Sequence, residues 1–363
     1  MVNDLLEVDE NIEKAQTISK IFYTDQKLFD LQKIKIFENN WQFLTDIESV
    51  KIPGQYFVSK YIESFIDEPI LLTRDYSDKI HCLSNVCTHR GTILAEFNGH
   101  TPKNLRCRYH GRRFNLDGCF HSMTEMDEAE NFPSESDNLA KIPFNQWGKF
   151  IFASLNPTIE FSDWIGPLEN RINFLPINEF LFDSKRSRDY LINANWALYV
   201  ENYLEGFHIP YIHPGLANAL DYNSYKIELF KFSNLQIGIA TGSENIFILP
   251  ETHVDFGKRV AAYYFWLFPN IMLNFYPWGL SINIVKPISI DKTRISYLTY
   301  VWKENLMDFG AGSQLDKVER EDEAVVEQVQ LGIKSKYYLK GRYSPKQEKG
   351  VHHFHRLLAQ FMK

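Results

Sequence analysis

The chain has 363 residues, room for two domains at about 100–200 residues each. With 44% apolar and 23% charged residues it reads as an ordinary globular chain, which excludes disorder, collagen and a small disulfide scaffold. A net charge of −7, from 39 basic and 46 acidic side chains, argues against nucleic acid as the main partner, because phosphate neutralisation needs concentrated Lys and Arg.

The start, Met1-Val2-Asn3-Asp4, has no basic segment followed by an apolar one, so no secretory signal is expected. No stretch approaches 18 uninterrupted apolar residues, so no transmembrane helix and no membrane partner are expected either. The expected location is cytoplasmic, where thiols stay reduced. Cys82, Cys87, Cys107 and Cys119 then read as ligands or core residues, not disulfides.

Residues 5–37 are charged and helix-friendly, with Ile12, Ala15, Ile18 and Phe22 near helical spacing. Residues 55–62, 70–74 and 79–83 are short apolar runs bounded by turn residues, which predicts strands. Asp117-Gly118 signals a hairpin. Residues 147–155 predict a closing strand, and Asn156-Pro157 punctuates a domain boundary. A helix is predicted over 195–207, with the apolar stripe Trp196, Val200, Tyr203 and Phe207. Residues 225–301 read as strands, and 314–334 as a helix.

Cys87-Thr88-His89 and Cys107-Arg108-Tyr109-His110 each offer a thiolate and an imidazole, with seventeen residues between the two groups. Two loops of this kind can converge on one metal centre. A structural zinc is one reading and a Rieske [2Fe–2S] centre is the other. Zinc knuckles usually pair the two cysteines and, later, the two histidines. Here each loop gives one of each, which suits a binuclear cluster with two thiolates on one iron and two imidazoles on the other. Gly91 and Gly111 would let backbone amides approach the sulfides. The pattern resembles the Rieske motif. Cys82 and Cys119 have no such partners and read as core residues.

His208 and His213 form a second candidate centre. On a straight helix they would stand about 140° apart, too wide for one metal. Pro210 lies between them and disrupts the helix, so a bend can bring the rings together. Glu205 is placed to accept a ring N–H or to bridge to another group. A 2-His-1-carboxylate iron site needs one acid more. Leu315, Val318, Val325, Val329 and Ile333 form one helical stripe, and Asp322 falls within it. Glu319, Glu321 and Glu323 lie about 75–115° off its centre and are expected in solvent. Asp322 is therefore the ligand candidate, with a buried salt bridge as the other reading. His352, His353 and His355 sit on one helix and face different directions, which predicts structural or solvated roles.

Together these residues resemble the α (terminal oxygenase) subunit of Rieske non-haem iron oxygenases, the ring-hydroxylating oxygenase superfamily. The likeness spans nearly the whole chain. It runs through the Rieske motif, Asn195-Trp196, Glu201-Asn202, Glu205-x-x-His208-x-x-x-x-His213, and a last block with Glu321-Asp322, Glu327, Gln330, Gly332 and Gly341-Arg342. The resemblance implies an α+β architecture: an N-terminal all-β Rieske domain and a C-terminal helix-grip (START-like) catalytic domain with an antiparallel sheet. The expected segments are 1–38, helical and packing on the catalytic domain, 39–157, the Rieske domain, and 158–363, the catalytic domain.

The resemblance also implies a [2Fe–2S] cluster on Cys87, His89, Cys107 and His110, and mononuclear Fe(II) on His208, His213 and Asp322. It implies a separate NAD(P)H-dependent reductase or ferredoxin, O₂, a small organic substrate, and a homotrimer in which Glu205 bridges His208 and His110 of the partner subunit. Two departures stand out. Glu205 replaces the Asp of many members, as in a branch resembling carnitine and choline monooxygenases. Arg112 stands where many relatives carry Trp. The aromatics Phe265, Trp266, Phe268, Phe275, Tyr276 and Trp278 can line a cavity for an aromatic ring, or hold a quaternary ammonium by cation–π attraction. The expected substrate is a quaternary or N-methyl amine, then an aromatic acid. The other readings are an electron carrier with an inactive second site and a zinc-stabilised ligand-binding module.

Overall fold

The protein is described from a computed structural model that covers residues 6–213, 226–242, 245–307 and 315–363. Expectations that rest on residues 1–5, Pro214, Tyr225 and Gln314, or on the side chain of Leu315, fall outside the described residues. The chain divides into two compact units, Glu38–Thr158, and Met1–Phe37 together with Ile159–Lys363.

The first unit is all-β. Strands β1 (Gln42–Asp46), β2 (Gln55–Tyr61), β3 (Glu68–Arg74), β4 (Ile80–Ser84), β5 (Gly99–His100), β6 (Leu105–Arg106), β7 (Arg113–Phe114), β8 (Phe120–Ser122), β9 (Phe144–Trp147) and β10 (Phe150–Ala153) form three antiparallel sheets. Their orders are β4-β3-β2-β5, β6-β7-β8 and β1-β10-β9. The single closing strand expected over 147–155 is a hairpin instead. Gly148 takes a left-handed φ of 54°, which reverses the chain between β9 and β10. Cys87 and Cys107 belong to one core cluster with Leu71, Leu83, Leu105 and Phe114, so the strands fix the roots of both ligand loops.

In the second unit the helix expected over 5–37 begins only with α1 (Ile21–Thr24) and α2 (Gln26–Gln32). The preceding backbone pairs elsewhere: Thr17 N–H donates to Gly341 O at 3.1 Å, and Lys20 N–H to Leu339 O at 3.1 Å. Ala15 and Ile18 are buried without helix, a case of tertiary pairing overriding local propensity. After α3 (Phe161–Ile172) come β11 (Leu181–Ile192), α4 (Trp196–Tyr203), α5 (Ile209–Ile212), β12 (Lys226–Leu229), β13 (Ser233–Ile239), β14 (Val260–Leu267), β15 (Ile271–Tyr276), β16 (Gly279–Ser289), β17 (Lys292–Val301), α6 (Leu315–Ile333) and α7 (Lys349–Met362). The strands make one seven-stranded antiparallel sheet, ordered β11-β17-β16-β15-β14-β13-β12. Helix α4 packs on α6, α7 and strand β16. Among the described residues no helix is long and apolar enough to cross a membrane.

Register shows which sheet face meets α4. Tyr264 pairs with Asn274 and Asn274 with Ser281, so all three share a face. Tyr203 Oη donates to Asn274 Oδ1 at 2.7 Å, and Gln236 Nε2 to Tyr203 O at 2.7 Å, which puts α4 on that face. Phe265 and Phe275 alternate to the opposite face, so neither can line a cavity beside α4. Trp266 and Phe268 are taken up by α7, against Phe354 and Phe361. Tyr276 and Trp278 stack at 5.3 Å, with Tyr264 edge-on to Tyr276, and form the aromatic part of the inner face.

Candidate metal centres

Both loops of the first centre are built alike. Cys87 and Cys107 are buried, and the rings of His89 and His110 lie 4.8 Å apart. Gly91 (φ 70°) and Gly111 (φ 75°) turn each loop back so that their N–H groups reach the cysteine carbonyls. His89 Nδ1 is buried and has no hydrogen-bond partner. Such an orphan beside two converging cysteines fits a metal ligand. Cys82 lies buried in β4, and Cys119 is half-buried beside the Asp117-Gly118 turn.

At the second centre the expected long helix stops early. Asn195 caps α4 by accepting from Ala197 N, and the helix ends at Tyr203. Glu205 then caps the next turn, accepting from the backbone N–H groups of Phe207 and His208. Phe207 thus leaves the apolar stripe and is exposed, while Trp196 and Val200 stay buried. Pro210 starts the short α5, and the rings of His208 and His213 come within 5.2 Å.

One ligand atom each of His208, His213 and Asp322 lies within 4.8 Å of the others. Both Nε2 atoms face Asp322 Oδ1, His213 at 2.9 Å and His208 at 3.4 Å. The Nδ1 atoms are held from behind: His208 Nδ1 donates to Glu205 Oε1 at 2.6 Å and His213 Nδ1 to Glu321 Oε2 at 2.8 Å. Asn202 Nδ2 donates to Asp322 Oδ1 at 2.6 Å. Carboxylates behind imidazoles fix the tautomer that aims Nε2 at a metal.

Helix α6 departs from its expected facing. Glu323 is buried and Glu319 and Glu321 are partly so, whereas Val329 is 44% exposed. The inward face runs through Asp322, Glu323, Val326, Gln330 and Ile333. Apolar residues alone misplace it because it carries polar work: Gln330 Oε1 accepts from Asn195 N–H, and Asp322 faces the histidines. Burial, reinforced by Asp316 and Glu323, pushes Glu319 up to about 8.

Of the three C-terminal histidines, His352 and His355 are buried and His353 is half-buried. His352 Nε2 donates to Asp9 O, and His355 hydrogen-bonds Tyr343 Oη and Glu201.

Burial alone would lower His208. Asp322 and Glu205 outweigh it and raise the ring to about 9. In the metal-free protein a proton therefore competes at that ring below about pH 9. Fe(II) uptake should tighten as pH rises, by up to about tenfold per unit for each proton released. Anaerobic Fe(II) titrations of apo-protein at pH 6, 7 and 8 check this. A flat response would mean that the rings are neutral before metal arrives.

Residues 180–363 match the family described as ring hydroxylating alpha subunit (catalytic domain), and residues 40–133 match the Rieske [2Fe-2S] domain. The chain is 30% identical to chloroplastic choline monooxygenase of Arabidopsis thaliana, covering 97% of this chain and 84% of that protein. It is 29% identical to the carnitine monooxygenase oxygenase subunit of Escherichia coli, covering 97% and 96%. A solved quaternary ammonium Rieske monooxygenase superposes with a TM-score of 0.79 at 26% identity, covering 99% and 98%. Naphthalene 1,2-dioxygenase from Rhodococcus, at 19% identity and a TM-score of 0.73 over 95% and 94%, shares the fold. With both domain models matched, the protein belongs to the ring-hydroxylating oxygenase α subunits, oxidoreductases with a Rieske [2Fe–2S] domain and a catalytic domain that uses mononuclear iron.

Proposed function

We propose that this chain is the terminal oxygenase of a system that oxidises a quaternary or N-methyl amine. Cys87, His89, Cys107 and His110 hold the cluster, and His208, His213 and Asp322 hold the iron. When bound, the cluster relays single electrons and Fe(II) activates O₂. Electrons come from a separate donor, a reductase or ferredoxin fed by NAD(P)H. The working assembly is a homotrimer in the cytoplasm. Glu205 links His208 to His110 of the partner subunit.

The protein's own groups do the positioning. Glu205 and Glu321 hold the imidazoles in the tautomer that leaves Nε2 free, and Asn202 holds Asp322 Oδ1. The observation that carries the substrate reading is the wall facing α4. Tyr264 and Tyr276 lie on the sheet and Trp278 in the turn between β15 and β16, and the three rings pack together. Aromatic faces favour a cation without requiring it to donate a hydrogen bond, which a quaternary ammonium cannot do. The likeness to choline and carnitine monooxygenases supports the same class.

The test is a single turnover of anaerobically reduced protein mixed with O₂ and a panel of quaternary amines and aromatic acids. Mass spectrometry reads the products, with ¹⁸O₂ marking the oxygen wherever the product does not exchange with water. Oxidised amine is expected. Turnover of aromatic acids alone would overturn the substrate class.

A further inference from the structure

The two cluster loops follow one backbone plan. Cys87 N–H donates to Thr92 O at 2.8 Å, and Cys107 N–H to Arg112 O at 2.8 Å. Gly91 N–H returns to Cys87 O at 3.0 Å, and Gly111 N–H to Cys107 O at 3.1 Å. What separates the loops is a charge. Thr92 is neutral, whereas the Arg112 side chain is a guanidinium only 3% exposed.

That guanidinium sits among aromatic rings, 4.9 Å from the centre of Phe120, 5.5 Å from Phe132 and 5.7 Å from Phe114. Its ion-pair partner is Asp137, which takes Arg112 on its carboxylate and, at 3.3 Å, on its backbone carbonyl. The same carbonyl accepts from Thr88 Oγ1 at 2.8 Å. Thr88 stands between Cys87 and His89, so Asp137 holds one residue from each ligand loop. Arg112 Nε is buried without a hydrogen-bond partner. A buried cation satisfied this sparingly is costly, and an apolar residue would fill the site more cheaply.

We propose that the Arg112–Asp137 pair sets the reduction potential of the cluster, with Arg112 raising it, Asp137 opposing it, and the Asp137 carbonyl tying the two ligand loops together. This rests on Cys87, His89, Cys107 and His110 being the cluster ligands. Reduction adds one electron, taken from the external donor, and leaves the centre one charge more negative. A fixed cation in the same core favours the reduced form, and an anion disfavours it. Arg112 shares that core: its guanidinium lies 5.7 Å from the Phe114 ring, which packs in one cluster with Cys87 and Cys107. Arg112 and Asp137 are positioning residues, not ligands.

The experiment is a redox titration of the full-length protein with dithionite and mediators, followed by the cluster's EPR and circular dichroism. Arg112→Gln should shift the one-electron equilibrium toward the oxidised form by about tenfold, which is about 59 mV downward. Asp137→Asn, which keeps the backbone carbonyl, should shift it upward by a similar factor. Arg112→Lys keeps the charge and should stay within about threefold of the unaltered protein. A merely structural pair would give shifts of one sign or none, and either result overturns the proposal. If Arg112→Gln fails to retain the cluster, Asp137→Asn and Arg112→Lys decide by the same criteria. An unaltered protein lacking a Rieske spectrum would overturn the ligand assignment, and this proposal with it, an outcome distinct from absent or same-sign shifts.

Discussion

Replacing Asp322 by Ala is expected to remove the mononuclear iron and abolish turnover while leaving the Rieske spectrum intact. Asp322 is the sole acid in the group of ligand atoms that lies within 4.8 Å. It is also where His208 Nε2, His213 Nε2 and Asn202 Nδ2 converge. Burial would raise its carboxyl, but hydrogen bonds from His208 and His213 hold it below the usual carboxylate range. It therefore stands ionised at neutral pH and supplies the only negative charge among those atoms. Without it two neutral imidazoles remain, one anionic ligand short of the 2-His-1-carboxylate set that holds Fe(II). Iron per chain should fall from about three to about two, the cluster's share.

Asp322→Asn separates charge from shape. It keeps an oxygen near Asn202 and the histidines but loses the anion, so it should lose iron almost as fully. Metal analysis and the Rieske EPR signal, taken on the same sample, check both variants. Unchanged iron and activity in Asp322→Ala would instead restore the reading of an electron carrier with an inactive second site.

The two candidate centres were legible in the sequence to different depths. Cys87, His89, Cys107 and His110 are readable because two short loops carry the whole set, and spacing alone expresses their geometry. His208 and His213 are readable through Pro210, which forbids the straight helix that would separate them. Asp322 is singled out by helical phase, although the stripe that singles it out is not the face that α6 buries. Val329 lies exposed while Glu323 is buried. The apolar count failed there because burial on that face follows polar partners, Asn195 and the two histidines.

Residues that support ligands from a distance in sequence left no local signal. Glu321 meets His213 across 108 positions and Asn202 meets Asp322 across 120. Asp137 reaches Thr88 across 49 from a short 3₁₀ turn. Strand and helix regions were readable from periodicity and turn residues, whereas the α+β class and the antiparallel sheet came with the family resemblance. Which aromatics face α4 was not, because that depends on register, and Phe265 and Phe275 turn away by alternation alone.

A second large loss is expected for Glu205→Gln. This carboxylate does three jobs from one position: it caps the backbone at Phe207 and His208, accepts His208 Nδ1–H, and in the proposed trimer reaches His110 of the partner subunit. Gln keeps one carbonyl acceptor, so it can retain the cap or the ring contact but supplies no charge and cannot accept at both ends. Loss of such a partner behind a metal-bound imidazole typically costs about 10–100-fold in activity. The loss should appear in the rate at which reduced cluster is reoxidised on mixing with O₂ and substrate, with iron content much less affected than in Asp322→Ala. Glu205→Asp shortens the side chain by one methylene and keeps the charge. It should recover part of the rate if charge is what matters, and none if reach is what matters. Reoxidation of Glu205→Gln at the unaltered rate, with full iron, would remove Glu205 from the path and leave it a helix cap.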